Sequence, residues 1–89
     1  MRRYRCYHDI IEALLSNLLE GEVGITRLCS KANIPLNRCK KLLSILEEYG
    51  LVVKVVIGTG FGYRILERGY EWLSIYHYLK ELLPIRIRS

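Results

Sequence analysis

The sequence predicts a mainly α-helical domain that carries one small β-hairpin. Apolar residues recur at helical spacing in four stretches of the chain. Pro35 interrupts this pattern between the second and third stretches, because proline ends or kinks a helix. Two β-branched runs flank the glycine-rich segment GTGFG at 58–62, as expected of two strands joined by a turn. With 89 residues, the chain is expected to form one domain.

The composition favours a polyanionic partner. The formal net charge is +5 and the sequence pI is about 9.3, so nucleic acid is the first expectation and an acidic membrane surface the second. Hydrophobic residues make up 51% of the chain, which excludes a disordered tail. No apolar run follows the basic N-terminus, and none approaches the roughly 18 residues of a membrane span. We therefore expect no signal peptide, no membrane partner and a cytoplasmic location.

The three cysteines, Cys6, Cys29 and Cys39, form an odd and unclustered set. No CxxC pair or histidine-rich spacing accompanies them, so we expect no zinc site and no cofactor. Cys29 and Cys39 fall on the inner faces of two predicted helices, where buried free thiols behave as small hydrophobes. Free thiols would in turn indicate an intracellular location.

A basic arm at 1–8 precedes the first predicted helix at 9–20. Arg2, Arg3 and Arg5 could reach a phosphate or a minor groove, although a solvated terminus that contacts nothing is the commoner case. Asp9 lies near the helix start, where its charge suits the helix dipole. The inward face of this helix is a wide apolar stripe, which comprises Ile10, Ile11, Leu14, Leu15, Leu18 and Leu19.

The segment 25–49 predicts two helices joined by a sharp turn, which is a helix-turn-helix. Thr26 is a candidate cap for the first of these helices. The helix must end near Asn33, because Pro35 disfavours the α region for the residue before it. Asparagine also tolerates the left-handed conformation that a helix exit often needs.

The second helix of this pair ends before Gly50, the usual position of a helix-terminating glycine. Pro35 suits its first turn, while Asn37 could be the cap instead. If Asn37 is the cap, its amide is bound to the backbone and cannot also contact a base. The inward face of the helix comprises Leu36, Cys39, Leu42, Leu43 and Leu46.

The outward face of the same helix is suited to the DNA major groove. It carries Asn37, Lys40, Lys41 and Ser44, with Arg38 on its flank. Between Glu22 and Glu47 the chain has five basic residues and no acidic one, whereas ordinary solvated surfaces mix both signs. We therefore prefer a DNA-contacting role to that of an ordinary solvated face. Arg27 and Lys31, exposed on the preceding helix, would contact phosphates.

Two short runs, LVVKVVI at 51–57 and GYRIL at 62–66, predict a hairpin directly after the helix-turn-helix, which is the position of a wing. Lys54 and Arg64 are its charges, and Thr59 lies at the tip, where a wing meets sugar-phosphate. The first run has few polar residues, so we expect the first helix or a partner chain to cover part of it. GTGFG is no phosphate loop, because a strand rather than a helix follows it.

The last predicted helix, at 67–83, has two apolar sides. One carries Leu66, Tyr70, Leu73 and His77, and the other carries Trp72, Ile75, Leu79 and Leu82 at heptad spacing, supported by Tyr76 and Leu83. One side can pack on the preceding domain at 9–66, and we expect the heptad side to form a homodimer. The alternative is that this ridge closes the monomer core. The basic tail at 84–89 could add phosphate contacts or lie along the partner.

The segments ITRLCSKANI, KLLSILEEYGLV and GYRILERGYEWL resemble, in order and spacing, the small archaeal winged-helix DNA-binding proteins that dimerise through a C-terminal helix or coiled coil. The resemblance spans about residues 10–83. It implies sequence-tolerant or operator DNA binding by the outer helix and the wing, in a chromatin-type protein or a transcriptional regulator. One departure is that Leu66 precedes Glu67-Arg68-Gly69, where similar proteins usually have a threonine cap.

The resulting hypothesis is a non-enzymatic, dimeric protein that binds double-stranded DNA and associates with the nucleoid. A second hypothesis is a protein-docking module, because winged helices also serve in larger assemblies and fold alone does not settle function. An enzyme is the least favoured class: His8 and His77 are isolated, and no nucleophile with a base or carboxylate pair is present.

Overall fold

The computed structural model describes residues 7–82, which contain four helices and one three-stranded sheet. The predicted mainly α-helical fold with a small β-hairpin is confirmed. The basic arm with Arg2, Arg3 and Arg5, the side chain of Leu83 and the tail at 84–89 lie outside the described residues. The elements are α1 (Tyr7–Ser16), β1 (Val23–Gly24), α2 (Ile25–Lys31), α3 (Leu36–Glu48), β2 (Val52–Ile57), β3 (Gly60–Ile65) and α4 (Glu67–Leu82).

Helix α1 begins and ends earlier than predicted, at Tyr7 and Ser16. The chain after it closes in tight turns, in which the Leu18 N–H donates to the Leu15 carbonyl at 3.0 Å. The apolar periodicity of the sequence therefore continues beyond the last residue of the helix. Leu19, expected on the inward stripe, is 43% exposed.

Asn33 ends α2 as predicted, in the left-handed conformation with φ 58°. Its N–H donates to the Ser30 carbonyl at 3.0 Å, and the Ile34 N–H donates to the Cys29 carbonyl at 3.0 Å. These two bonds form the Schellman arrangement, which satisfies carbonyls that the helix end leaves free. Pro35 follows directly and fixes the entry into α3.

The helix-turn-helix has no side-chain caps at its two helix starts. Gly24 is the N-cap of α2, so the prediction of a Thr26 cap is wrong. Pro35 is the N-cap of α3, so Asn37 lies within the first turn and does not cap the helix. Leu36 also departs from the predicted inward face, since it is 41% exposed at the start of α3.

Cys29 and Cys39 form a disulfide that links α2 to α3, with their Cα atoms 5.8 Å apart. Both residues are almost fully buried. The expectation of free thiols is therefore wrong, because two cysteines on facing sides of adjoining helices cannot be recognised from their spacing alone. The argument for an intracellular location that rested on free thiols loses its basis.

Strands β2 and β3 form the predicted hairpin, in antiparallel register from Val52↔Ile65 to Ile57↔Gly60. Gly58 and Thr59 connect them as a two-residue turn, so the remaining three residues of the predicted turn at 58–62 belong to β3 instead. At the inner end of the hairpin, Val52 and Ile65 are buried in the core.

A third strand, β1, was not predicted and pairs with the other edge of β3. Val23 lies opposite Tyr63 and Gly24 lies opposite Gly62. A Cβ atom on Gly62 would come within 2.2 Å of the Val23 carbonyl oxygen, so only glycine allows this close approach. The sheet order is β1-β3-β2, which leaves β2 at one edge.

Helix α4 packs one side against α1. Leu73 is buried with 4% exposure, and Trp72 is partly buried against the core. The Trp72 ring stacks on Tyr76 with centroids 5.0 Å apart, and the Tyr76 hydroxyl donates to the Asp9 carboxylate on α1. At the start of α4, the Leu66 carbonyl accepts the first helical bonds, from the Gly69 and Tyr70 N–H groups, while the leucine side chain offers no acceptor to the first turn.

The hydrophobic core lies between the first three helices, the sheet and the inner side of α4. Its fully buried large side chains come from α1 and the turn after it, from α2 and α3, and from β2: Leu14, Leu15, Leu18, Leu28, Leu43, Val52 and Cys39. Within residues 7–82, none of the helices combines the length and the apolar composition needed to cross a bilayer.

Candidate nucleic-acid interface

The outward face of α3 carries the polar residues predicted for it. Asn37, Arg38, Lys40, Lys41 and Ser44 are all exposed, whereas Cys39, Leu42, Leu43 and Leu46 are buried on the opposite side. The buried side fixes α3 on the core, and the disulfide adds a covalent link to α2. The three cations of this face are therefore presented by a rigid helix.

The charge on α3 changes sign along its length. The basic residues occupy the first half, while Glu48 and the exposed Tyr49 follow at its C-terminal end. In helix-turn-helix proteins the N-terminal residues of the recognition helix contact base edges. The basic half of α3 is thus the half that such a docking would bring closest to DNA.

Arg27 and Lys31 are exposed on α2, but their surroundings differ from those of α3. They line an open groove of about 620 Å³, which Glu20, Glu22 and the Ile57 side of β2 also line. The two carboxylates reduce the positive potential at this place. The surroundings of the α2 cations therefore include carboxylates, whereas the first half of α3 carries none.

The predicted wing residues Lys54, Thr59 and Arg64 are all exposed, yet they do not form one surface. Lys54 lies opposite Tyr63 in the register, whereas Arg64 lies opposite Val53, so the two cations point to different faces of the hairpin. Arg64 Nη1 is 3.6 Å from Glu22 Oε2. This ion pair is exposed and therefore weak, but the carboxylate partly neutralises the charge of Arg64.

Lys54 lies on a face of the hairpin that sequence reasoning left without a role. Its Nζ atom is 4.8 Å from the centroid of the Phe61 ring. Val56, opposite Phe61 in the register, is 82% exposed, and Phe61 is 38% exposed. From the apolar character of this strand we predicted only that part of it would be covered. The exposure of Val56 and Phe61 depends on the tertiary structure, so it could not be predicted from the sequence.

The residues predicted for the dimer interface divide between two sides of α4. Trp72 and Tyr76 are partly buried and face α1 of their own chain. Ile75, Leu79 and Leu82 are 56%, 56% and 60% exposed, and Tyr78, which was not predicted, joins them with 59% exposure. We call Ile75, Tyr78, Leu79 and Leu82 the α4 stripe.

His77 and the other titratable groups do not gather into a metal site in the described part of the chain. His77 Nε2 lies 3.5 Å from Glu12 Oε2, which also accepts a hydrogen bond from Ser16. Between residues 7 and 82, no three side chains of His, Cys, Asp or Glu converge so as to hold a metal ion.

Solved structures of similar fold come from archaea and bacteria. Sso10a-2, a DNA-binding protein from Sulfolobus solfataricus, superposes with a TM-score of 0.76 at 23% identity, over 88% of this chain and 81% of that one. AF1382 from Archaeoglobus fulgidus superposes with a TM-score of 0.71 at 18% identity, over 91% of this chain and 93% of that one. The homodimeric winged helix-turn-helix DNA-binding domain of Mb0332 from Mycobacterium bovis gives 0.69 at 20% identity, over 90% and 77%.

At these identities the structural likeness concerns the fold. No curated protein sequence matches the chain significantly. A family model described as winged helix-turn-helix matches residues 2–83, which is nearly the whole chain. The protein therefore belongs to the winged helix-turn-helix family.

Proposed function

We propose that this protein binds double-stranded DNA as a homodimer, in a regulatory or chromatin-associated role. The observation that carries the proposal is the exposed, acid-free basic face in the first half of α3, held on a helix whose opposite side is buried. Lys40, Lys41 and Arg38 would lie in or beside the major groove. Asn37 and Ser44, which can donate and accept hydrogen bonds, would read base edges.

The remaining cations would fix the orientation of the protein on the duplex. Arg27 and Lys31 would contact phosphates beside α3, and Lys54 and Thr59 would meet the backbone through the wing. Arg64 has a smaller part, because Glu22 competes for it. Sso10a-2 and the Mb0332 domain are both described as DNA-binding, which supports this use of the fold.

The homodimer would form through the α4 stripe. Its four large side chains are each more than half exposed, which is unusual for a stable monomer surface. Burial at about 25 cal/mol per Å² makes such a stripe a strong driving force before association costs are counted. The Mb0332 domain is described as homodimeric, which supports a dimer for this fold.

In this proposal the protein has no catalytic role, is cytoplasmic and associates with the nucleoid.

The test is a DNA titration of the Lys40→Ala, Lys41→Ala double variant over a series of salt concentrations. Loss of two phosphate contacts should weaken binding and lower the slope of log K against log salt by roughly one unit per contact. The matched control is Arg68→Ala with Lys80→Ala, which removes the same charge from α4. Equal affinity and slope in wild type and the α3 variant would show that α3 does not face DNA.

A protein-docking module remains the second candidate function. It is favoured by exposed aromatic side chains away from α4, namely Tyr7 and Tyr49, at 63% and 62% exposure. Absence of binding to random duplex at low salt would favour docking over DNA binding.

A further inference from the structure

We propose that strand β2 pairs in antiparallel fashion with β2 of a second copy of the chain, through the side of the strand that β3 leaves free. The pairing would join two three-stranded sheets into one continuous sheet. This contact lies apart from the α4 stripe and requires no DNA. It therefore goes beyond the proposed function.

Strand β2 has unpaired main-chain groups on its outer side, because the sheet order is β1-β3-β2. Ile57 and Gly60 flank the two-residue turn and form a hydrogen-bonded pair, as the ends of such a turn do. Hydrogen-bonded and non-hydrogen-bonded pairs alternate along an antiparallel ladder. The N–H and C=O groups of Val52, Lys54 and Val56 therefore point away from β3. We call these groups the β2 edge.

The β2 edge lacks the features that usually prevent strands of different chains from pairing. Exposed edges are commonly protected by proline, by bulges or by charged side chains. The sequence of β2 is VVKVVI, and its register with β3 is continuous. Its one charged group, the Lys54 ammonium, lies 4.8 Å from the centroid of the Phe61 ring on β3, so it leans away from the free side. In the described part of the chain, no backbone hydrogen bond outside the ladder involves residues 52–57.

The side chains of β2 favour another strand as the occupant of this edge. Five of its six residues are valine or isoleucine, which pack well on a pleated surface. Val56 is 82% exposed, more than any other large hydrophobic residue in the described part of the chain. A neighbouring strand would cover Val56, whereas a single chain leaves it in water.

A second copy of β2 is complementary to this edge. Antiparallel pairing of identical strands places a two-fold axis at one residue. Among the axes that bring free main-chain groups together, those at Lys54 and Val55 give the longest overlap. An axis at Lys54 would set two ammonium groups directly opposite each other, which is destabilising. An axis at Val55 instead sets Lys54 opposite Val56 of the second copy, and Val53 opposite Ile57 of that copy.

The contact is small and therefore weak, since few main-chain bonds and few side chains take part. Pairing should appear at higher protein concentration than association through the α4 stripe. Because each chain would then have two separate self-contacts, dimers formed through α4 would join into larger assemblies.

Engineered cysteines test the register. The background is the full chain with Leu79→Asp, which disrupts the α4 stripe, and Cys6→Ser, which removes the cysteine outside the disulfide. Under mild oxidation Val55→Cys should shift to twice the chain mass on a non-reducing gel. Residues opposite each other in a non-hydrogen-bonded pair have Cα atoms about 4.5 Å apart, within disulfide range. Val53→Cys and Ile57→Cys should each stay at the single mass, but a mixture of the two should cross-link.

A charge on the edge tests the strength of the contact. In the Leu79→Asp background, the mass from light scattering should rise from one chain towards two as the protein is concentrated. Val56→Lys sets an ammonium group opposite Lys54 on both sides of the axis, so the concentration needed for pairing should rise roughly tenfold. Gly60→Lys is the control, because it adds the same charge on β3, where its Cβ would approach nothing closer than 4.0 Å. It should pair like the background protein.

Three results would overturn the inference. Cross-linking of Val53→Cys or Ile57→Cys alone to the level of Val55→Cys would reject the register and the pairing with it. A single mass at every concentration, without any cross-link, would leave the edge to an extended segment of a different protein. Equal association of Val56→Lys and Gly60→Lys would exclude β2 as the contact. None of these measurements contains DNA, so their outcome is independent of the proposed DNA binding.

Discussion

Cys29 on α2 and Cys39 on α3 are joined by a disulfide in the interior of the helix-turn-helix, where they are 2% and 0% exposed. The bond connects the two helices whose relative orientation decides how α3 meets a partner. It closes a short loop with a sequence separation of 10, for which a stabilisation of about 2–3 kcal/mol is expected. Their burial shields the sulfur atoms from reductants while the protein is folded.

Reduction of this disulfide should lower the melting temperature by roughly 10–20 °C, since 1 kcal/mol corresponds to about 4–8 °C in a domain of this size. The measurement is thermal unfolding with and without a small phosphine reductant. The double variant Cys29→Ala, Cys39→Ala should melt at the lower temperature in both conditions. Alkylation of denatured, unreduced protein provides the check: modification of Cys29 and Cys39 would show that no bond exists.

Tyr63 should make the protein sensitive to alkaline pH. Burial raises the pKa of its phenol, and the nearby Glu47 carboxylate adds to the effect. A raised folded-state pKa contributes stability below the unfolded value of about 10, and this stability is lost as the pH rises through the folded value. The free energy of unfolding in urea should therefore fall more steeply above about pH 10 in wild type than in Tyr63→Phe. Parallel pH profiles of the two proteins would contradict the assignment.

Leu79→Asp should convert the proposed dimer into a monomer, because it places a charge in the middle of the α4 stripe. Light scattering after size exclusion should give twice the 10.4 kDa chain mass for wild type and the single mass for the variant. Ser74→Asp adds the same charge to an exposed position of α4 outside the stripe and should remain dimeric. A wild-type mass of one chain would exclude this dimer.

Gly62→Ala should disrupt the junction of β1 and β3. The new Cβ would lie 2.2 Å from the Val23 carbonyl oxygen and 2.8 Å from the Gly24 Cα, both of them backbone atoms that cannot simply rotate away. Overpacking of this kind costs about 1–3 kcal/mol. Gly60→Ala is the control, because its Cβ would approach nothing closer than 4.0 Å. Urea unfolding of the two variants measures the difference, and equal stabilities would contradict this packing.

Much of the fold follows from local signals in the sequence. Pro35 and Asn33 mark the turn of the helix-turn-helix, because their backbone preferences act without help from distant residues. Gly50 marks the end of α3 in the same way, with φ 80°. The exposed face of α3 follows equally from helical periodicity, since the buried positions recur at regular spacing.

Features that depend on residues distant in the sequence could not be predicted. Strand β1 exists only through its pairing with β3, and two residues carry no periodic pattern. The Cys29–Cys39 bond and the Glu22–Arg64 ion pair join residues that approach one another only after folding. The end of α1 was misplaced because the apolar spacing continues past the last helical residue into the following turns.

The same distinction between local and long-range features applies to the candidate site. The charges of α3 were recognisable because they are local and periodic, whereas the opposite orientations of Lys54 and Arg64 depend on the register of β2 and β3. The exposure of Val56 was not predicted, because an apolar strand residue is normally assigned to a core.

The first half of α3 is the surface that we propose to contact DNA. Titration of isotope-labelled protein with a random 20–30 base-pair duplex, followed by amide NMR, tests it most directly. We expect the largest shifts and line broadening at Asn37, Lys40, Lys41 and Ser44, with smaller changes in the wing. Perturbations that leave these amides unchanged, or that concentrate on α4, would contradict it.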